Sequence, residues 1–293
     1  MDAVWHDLGA AAGSADVGVR RIRVAPQRLS TPPHVHAREE ETFFVLGGSG
    51  LLLQDGETCR VRPGDCVVHA GAEVHTLVGG DEGLDVLVFG PRLWAEGGYL
   101  PRSGNLWVGL WPVRVAENHP WQDEAALGMP ELPEPRERPA NVVHVSDAPS
   151  EFGGVSHRLG AAAGARRTGL NHVALPPDAE GAPPHLHTVE EETFVILEGE
   201  GVLELWPTPS RASTGQVREE HPVRAGHVLA HPPGGGMAHM LRAGAGGLTY
   251  LVYGTRSAAD VCFYPRSNKV AFRGVGLIAR LEHLEYMDGE PEG

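Results

Sequence analysis

The sequence predicts an all-β protein built from two tandem double-sheet barrels. Three observations predict it. Short β-prone runs alternate with turn residues, 39 glycines and 24 prolines in 293 residues, a composition that suits many short strands joined by tight turns. No long stretch carries helical periodicity. The run HVHAREEETFFVLGG, His34 to Gly48, returns as HLHTVEEETFVILEG, His185 to Gly199; the chain is an internal duplication, long enough for two domains with separate cores.

In the first repeat, strands are expected at 19–25, 33–36, 42–46, 50–54, 57–61, 66–69, 75–78 and 84–89. The duplication extends past the shared run. Arg62-Pro63-Gly64-Asp65 has its counterpart in Arg224-Ala225-Gly226-His227, LDVLVFGPR (Leu84 to Arg92) in LTYLVYGTR (Leu248 to Arg256), and LPRSGN (Leu100 to Asn105) in YPRSNK (Tyr264 to Lys269). The expected division is a first barrel over 1–117, a Pro/Glu-rich linker over 118–140, and a second barrel with a C-terminal extension over 141–293. The linker is expected to be extended, with one helical turn near 123–127. The second repeat carries a longer insertion, WPTPSRASTGQVREEHPV, between its central strands.

Chemistry enters with the shared run. Each copy has two histidines at i and i+2, then a glutamate five residues after the second; a lone histidine follows, His75 in one half and His239 in the other. In a strand, residues two apart point to one face, so His34 and His36 can aim at one point. Glu41, Phe43 and Val45 share a face, as do Glu192, Phe194 and Ile196. A carboxylate among apolar neighbours is costly unless a cation or strong donors compensate it. Three imidazoles and one carboxylate around a divalent ion account for both the histidines and the glutamate. The candidate ligands are therefore His34, His36, Glu41 and His75, and His185, His187, Glu192 and His239. Mixed nitrogen and oxygen donors suit Mn, Fe, Co, Ni or Zn, up to two ions per chain.

Composition narrows the partners. A net charge of -14 argues against nucleic acid, whose binding needs a basic surface. Cys59, Cys66 and Cys262 are odd in number and lack CxxC spacing, so a disulfide framework is not expected and a reducing compartment is. No signal peptide and no bilayer-spanning apolar run is read. The expectation is a cytoplasmic protein with a small-molecule substrate and no membrane or nucleic-acid partner; a homo-oligomer is compatible with it.

These motifs resemble the cupin family. Its first motif, HxH, a short spacer, a glutamate and a later glycine, is met by His34, His36, Glu41 and Gly48, and by His185, His187, Glu192 and Gly199. Its second, a glycine, PxG and a histidine, is met by Gly226, Pro232, Gly234 and His239, with two extra residues before the histidine. In the first half it keeps Gly64 and His75, with Ala70 and Ala72 replacing the proline and second glycine. The resemblance covers most of both halves and is similar to a bicupin: two double-stranded β-helix (cupin or jelly-roll) barrels related by pseudo-twofold symmetry. It implies four protein ligands on an octahedral ion with two positions open, and a metal-dependent enzyme, with dioxygenase-type oxidation of a small organic acid or phenolic compound expected first. The alternatives are non-redox decarboxylation or isomerisation, and metal-bearing ligand binding or storage without turnover. Oxalate-decarboxylating bicupins share the duplicated ligand pattern.

No residue is assigned as general acid or base. Glu39, Glu40, Glu190 and Glu191 are expected as solvated turn residues, and His69 and His231 as strand-end histidines satisfied by backbone. Arg92, Arg256, Arg102 and Arg266 are expected to brace the two repeats, and Gly234 to Gly236 to form a loop at the second pocket's rim.

Overall fold

Alternating side chains divide each central strand between two cores. Phe43 and Val45 enter one cluster with Ile22, Leu52, Val67, Leu77 and Val86. Phe44 enters another with Val17, Val19, Cys66, Val68, Leu87 and Phe89, and this cluster also takes Leu159, Leu170, Val195, Leu251 and Tyr253 from the other half. The second cluster is thus the seam between two barrels, and the first is the inside of one of them. Phe194, Ile196, Leu241 and Tyr250 fill the inside of the other. Burial on both faces explains why TFFVL and TFVIL read as continuous apolar runs rather than as alternating ones. Phe89 and Tyr253 stack across the seam, ring centroids 5.1 Å apart. Each large side chain buried there contributes about 1.5–3 kcal/mol.

The computed structural model describes residues 2–93, 96–108, 111–113, 119–284 and 287–291. The first half contains β1 (Ala3–Asp7), α1 (Leu8–Ala11), β2 (Val17–Val24), β3 (Val35–His36), β4 (Glu41–Gln54), β5 (Glu57–Val61), β6 (Asp65–His69), β7 (His75–Pro91), β8 (Gly97–Leu100), β9 (Asn105–Val108) and β10 (Trp111–Val113). Then come α2 (Pro120–Ala126), β11 (Val142–His144), β12 (Ser150–Glu151), β13 (Ser156–His157), α3 (Leu159–Ala162), β14 (Thr168–Leu175), β15 (Leu186–His187) and β16 (Glu192–Pro207). The chain continues through α4 (Pro209–Ser213), β17 (Glu219–Arg224), β18 (Val228–His231), β19 (Met237–Thr255), β20 (Val261–Tyr264), β21 (Lys269–Phe272) and β22 (Leu277–Arg280). Two antiparallel sheets build each half: β1-β2-β7-β4-β6-β11 with β5 beside β4, and β10-β9-β8-β3; then β12-β13-β14-β19-β16-β17 with β18 beside β16, and β15-β20-β21-β22.

The expected strands at 42–46 and 50–54 are one strand, β4, and those at 75–78 and 84–89 are one strand, β7. Their pairing shifts register between Val45 and Gly47 and again between Gly48 and Gly50, so each long strand bends without breaking. Gly48 has φ 74°, and a Cβ there would stand 2.2 Å from the Gly83 carbonyl oxygen; Gly199 has φ 78° and meets Gly247 at the same distance. Only glycine fits these bends.

Residues expected as an extended linker lie along the first barrel. Pro120 to Ala126 form α2, capped by His119 and Gln122. Further on, the Thr58 hydroxyl donates to Pro133 O at 2.7 Å, the Arg136 amide to Thr58 O at 2.9 Å, and the Arg138 guanidinium to Asp65 at 2.6 Å. β11 then pairs with β6, adding residues beyond 141 to the first half's sheet. The expected boundary at 117/118 lies outside the described residues. No helix among the described residues is long and apolar enough to cross a membrane.

Candidate metal centres

His34 and His75 meet as paired backbone: each amide donates to the other's carbonyl, at 3.1 and 2.8 Å. The same bridge joins His185 and His239, so the two extra residues before His239 bulge out of the turn and leave the register intact. Pro32-Pro33 and Pro183-Pro184 favour extended backbone into each HxH pair. The prolines also supply the acceptors that orient the first imidazole: His34 Nδ1 lies 2.9 Å from Pro32 O and His185 Nδ1 2.8 Å from Pro183 O. His75 Nδ1 is likewise 2.9 Å from Glu73 O. A ring whose Nδ1–H donates to a carbonyl presents the lone pair of Nε2 inward.

In the first barrel the structure brings all four expected residues together, with donor atoms of His34, His36, Glu41 and His75 within 4.8 Å of one another. His34 Nε2 is 3.1 Å from His36 Nε2, and Glu41 Oε2 is 3.0 Å from His75 Nε2 and 3.6 Å from His36 Nε2. Two donors each about 2.1 Å from an ion and at right angles lie about 3 Å apart, so these separations fit a shared divalent cation. In the second barrel His185, Glu192 and His239 converge within 4.8 Å, with Glu192 Oε2 3.2 Å from His185 and 2.9 Å from His239. His187 stands slightly outside that group, its Nε2 3.5 Å from Glu192 Oε2.

Electrostatics without an ion show what the pockets ask for. Burial opposes charge on Glu41, but hydrogen bonds from His36 and His75 outweigh it and hold the carboxyl well below its usual range. Glu192 is held down in the same way by His185, His187 and His239. Burial also opposes charge on His36, yet Glu41 and Glu96 raise it to about 10; Glu192 and Asp260 raise His187 to about 9. Burial and the neighbouring His75 lower His34 to about 3, and burial and His185 lower His239 to about 4. Each pocket therefore keeps one positive charge beside its carboxylate, where a metal ion would supply more.

Behind the second histidine of each pair stands an acid that the motif reading missed. His187 Nδ1 is 2.7 Å from Asp260 Oδ2, while Asp260 Oδ1 accepts from the amides of Thr188, Val189 and Glu190. His36 Nδ1 is 3.5 Å from Glu96, which accepts from the Ala37 and Arg38 amides. Both acids immediately precede corresponding strands, β8 and β20, four residues before the Leu100 and Tyr264 that open the paired PRS elements. Extending the repeat alignment upstream by those residues would have found them.

Other expectations are corrected. Glu40, Glu190 and Glu191 are buried. Glu190 accepts from the Ser257 amide at 2.6 Å and the Arg273 guanidinium at 2.5 Å, and Glu39 lies 3.6 Å from His36. Glu190 is packed by its own half, whereas Glu40 and Glu191 accept from backbone amides of the other half. His69 is not satisfied by backbone: both its ring nitrogens are buried without a hydrogen-bond partner among the described residues. It shares the inward face of β6 with Val67 and stacks on His75, centroids 3.8 Å apart and planes 6° apart. Burial, then the neighbouring His75, holds its pKa well below the usual imidazole value. His231 stacks more loosely against His239, centroids 4.1 Å and planes 26° apart, with its Nε2 buried and unpartnered among the described residues. Three of the arginines bond away from the seam, Arg92 to Val17 O and Asp7, Arg102 to Glu124 of the connecting segment, and Arg266 to Glu180, while Arg256 packs against Gly169 of its own half. At the rim of the second pocket the Gly234 amide donates to His187 O at 3.2 Å, and the Tyr264 ring stacks on His185, centroids 5.9 Å apart; the register of β3 with β8 sets Leu100 at the matching place in the first barrel.

Residues 20–90 match the family model described as Cupin domain. A structure of oxalate decarboxylase from Bacillus subtilis, studied for its Mn(II) centres, is similar over 88% of this chain and 74% of its own, with a TM-score of 0.58 and 14% identity. The formate complex of oxalate decarboxylase from Lactobacillus farciminis is similar over 87% of this chain and 81% of its own, with a TM-score of 0.58 and 16% identity. No curated protein matches the sequence.

Proposed function

We propose, taking as premise that the chain is a bicupin in fold, that both barrels bind a divalent transition metal and that the protein is a metal-dependent enzyme acting on a small organic acid by non-redox decarboxylation. The ligands are His34, His36, Glu41 and His75 in the first barrel and His185, His187, Glu192 and His239 in the second. The observation that carries this reading is the convergence of ring nitrogens on one ionised, half-buried carboxylate, three of them in the first barrel and two in the second with His187 just outside, at separations that suit a common cation.

When bound, the metal supplies Lewis acidity toward a substrate oxygen. The chain does the rest. Pro32 O, Glu73 O and Pro183 O hold ring tautomers. Asp260 and Glu96 orient the second histidine of each pair, a support that raises ligand basicity. Phe43 and Val45, and Phe194 and Tyr250, line apolar barrel interiors, which strengthens every charge interaction inside. The side chains of Glu41 and Glu192 remain 15% and 21% exposed, so neither carboxylate is sealed from solvent.

Decarboxylation is preferred to dioxygenase-type oxidation because the similar folds named above are decarboxylases of a small dicarboxylic acid, whereas no observation favours oxygen chemistry. The test is Mn(II)-loaded protein with oxalate and related small acids, monitored for carbon dioxide and dissolved oxygen together. Carbon dioxide formed without net oxygen consumption is the expected result. Oxygen consumed in proportion to substrate would restore the oxidative reading, and tight binding without product would favour storage.

A further inference from the structure

A buried imidazole with no partner on either nitrogen is an expense that a leucine or phenylalanine at the same place would avoid. His69 is 1% exposed, and neither its Nδ1 nor its Nε2 has a hydrogen-bond partner among the described residues. The fold repeats the choice at His231, whose Nε2 is also buried and unpartnered. Each stands on the barrel's inward face directly across from the pocket glutamate, His69 opposite Glu41 and His231 opposite Glu192.

Stacking geometry turns the His69 ring away from the same ion, and His231 stacks on His239 at 4.1 Å with its plane tilted by 26°. His75 would hold a metal through its Nε2 lone pair, which lies in the plane of the ring. The His69 ring is parallel to within 6° with its centroid 3.8 Å away, so its own plane passes well to one side of that ion and its lone pair does not point at it. What remains within its reach is a group bound beside the metal. A neutral imidazole offers one N–H donor and one acceptor, and a donor of this kind, held in an apolar wall, suits an oxygen of a small carboxylate whose other oxygen is on the metal.

We infer that His69, and His231 in the second barrel, are substrate-positioning residues that hydrogen-bond a small carboxylate held at the metal of their own barrel. The inference rests on the metal reading above and deepens it. Phe43 packs edge-on against His69 at 5.8 Å and Phe194 against His231 at 5.9 Å, so the wall around each imidazole is apolar and a bound acid has to be compact.

Titration calorimetry of the Mn(II)-loaded protein with oxalate and with formate, alongside metal analysis, tests it. His69→Phe and His231→Phe should keep the metal content of the parent and each weaken carboxylate binding at one of the two sites by tenfold or more, roughly the worth of a hydrogen bond to a charged group. His69→Gln, which keeps a donor and an acceptor, should recover part of that loss; a purely space-filling role would not show this recovery. Unchanged affinity in both Phe variants at full metal content overturns the inference, as does a metal-loaded parent that binds neither acid. Loss of metal in the Phe variants also overturns it, by making the ring part of the metal site. Failure of the parent itself to take up Mn(II) would instead remove the metal reading.

Discussion

Glu40 and Glu191 each cross the seam between the barrels to clasp the same turn in the other half. Glu40 accepts from the amides of Arg166, Arg167 and Thr168, at 2.8, 3.3 and 3.0 Å, and from the Thr168 hydroxyl. Glu191 accepts from the amides of Ala15, at 3.1 Å, and Asp16. Both side chains are buried, 2% and 0% exposed. The exchange is reciprocal, and it places each clasp one residue before a pocket glutamate, so docking of the halves and placement of Glu41 and Glu192 are mechanically linked.

Replacing either clasp with glutamine leaves backbone donors facing an amide NH2. Glu40→Gln and Glu191→Gln should each lose about 1.5–3 kcal/mol, the worth of hydrogen bonds to a charged group. Denaturant unfolding measures it, and unchanged midpoints in both variants would show the clasps to be dispensable.

The pocket glutamates carry the ion sites. Glu41→Gln and Glu192→Gln should each lower bound Mn(II) from two ions per chain toward one, and the double variant toward none. Elemental analysis after dialysis reads this directly. Full metal in the double variant would count against the assigned ligand sets.

Proton competition sets the pH dependence of metal uptake. The folded-state pKa of His36 is raised to about 10 and that of His187 to about 9. Because these lie above the ordinary histidine value near 6.5, the proton stabilises the metal-free fold fully below about pH 6.5, and this contribution is lost as pH rises through about 9 and 10. Coordination needs a neutral ring. Binding at pH 7 should therefore release about one proton per ion, and affinity should climb about tenfold per pH unit until those values are passed. Calorimetry in buffers of different ionisation enthalpy counts the protons; zero release at pH 7 would contradict the shifts.

Asp260 and Glu96 offer unequal support, 2.7 Å against 3.5 Å from their histidines. Asp260→Asn should weaken metal binding in the second barrel by about 10–100-fold, and Glu96→Gln should have the smaller effect in the first. Competition with a chelator of known affinity ranks them.

Much of this was legible in sequence because the information is local. The HxH pairs, their glutamates and the face shared by Glu41, Phe43 and Val45 depend on spacings of two to five residues, which strand geometry converts directly into convergence. His239 was legible despite its two extra residues because it answers to His75 in the repeat, and its backbone pairing with His185 shows that the insertion leaves its position intact. What was not legible depends on distant partners. Glu40 looks like a turn acid until Thr168, more than a hundred residues on, is seen to meet it. His69 looks like a strand end until stacking on His75 reveals that it faces inward. The bend at Gly48 joined the expected strands 42–46 and 50–54 into one, because a glycine bend reads as a break when the facing strand is not known.

The first strand after the connecting segment belongs, by hydrogen bonding, to the barrel that precedes it: β11 extends the sheet through β6, and the seam behind it is apolar on both sides. Severing the polypeptide anywhere before Val142 would leave the upstream fragment with a bare edge and a sticky flank, and the downstream fragment carrying its missing piece. Such fragments should be insoluble when made singly and should reassemble when made together, which makes the duplicated halves one cooperative object rather than two beads on a string.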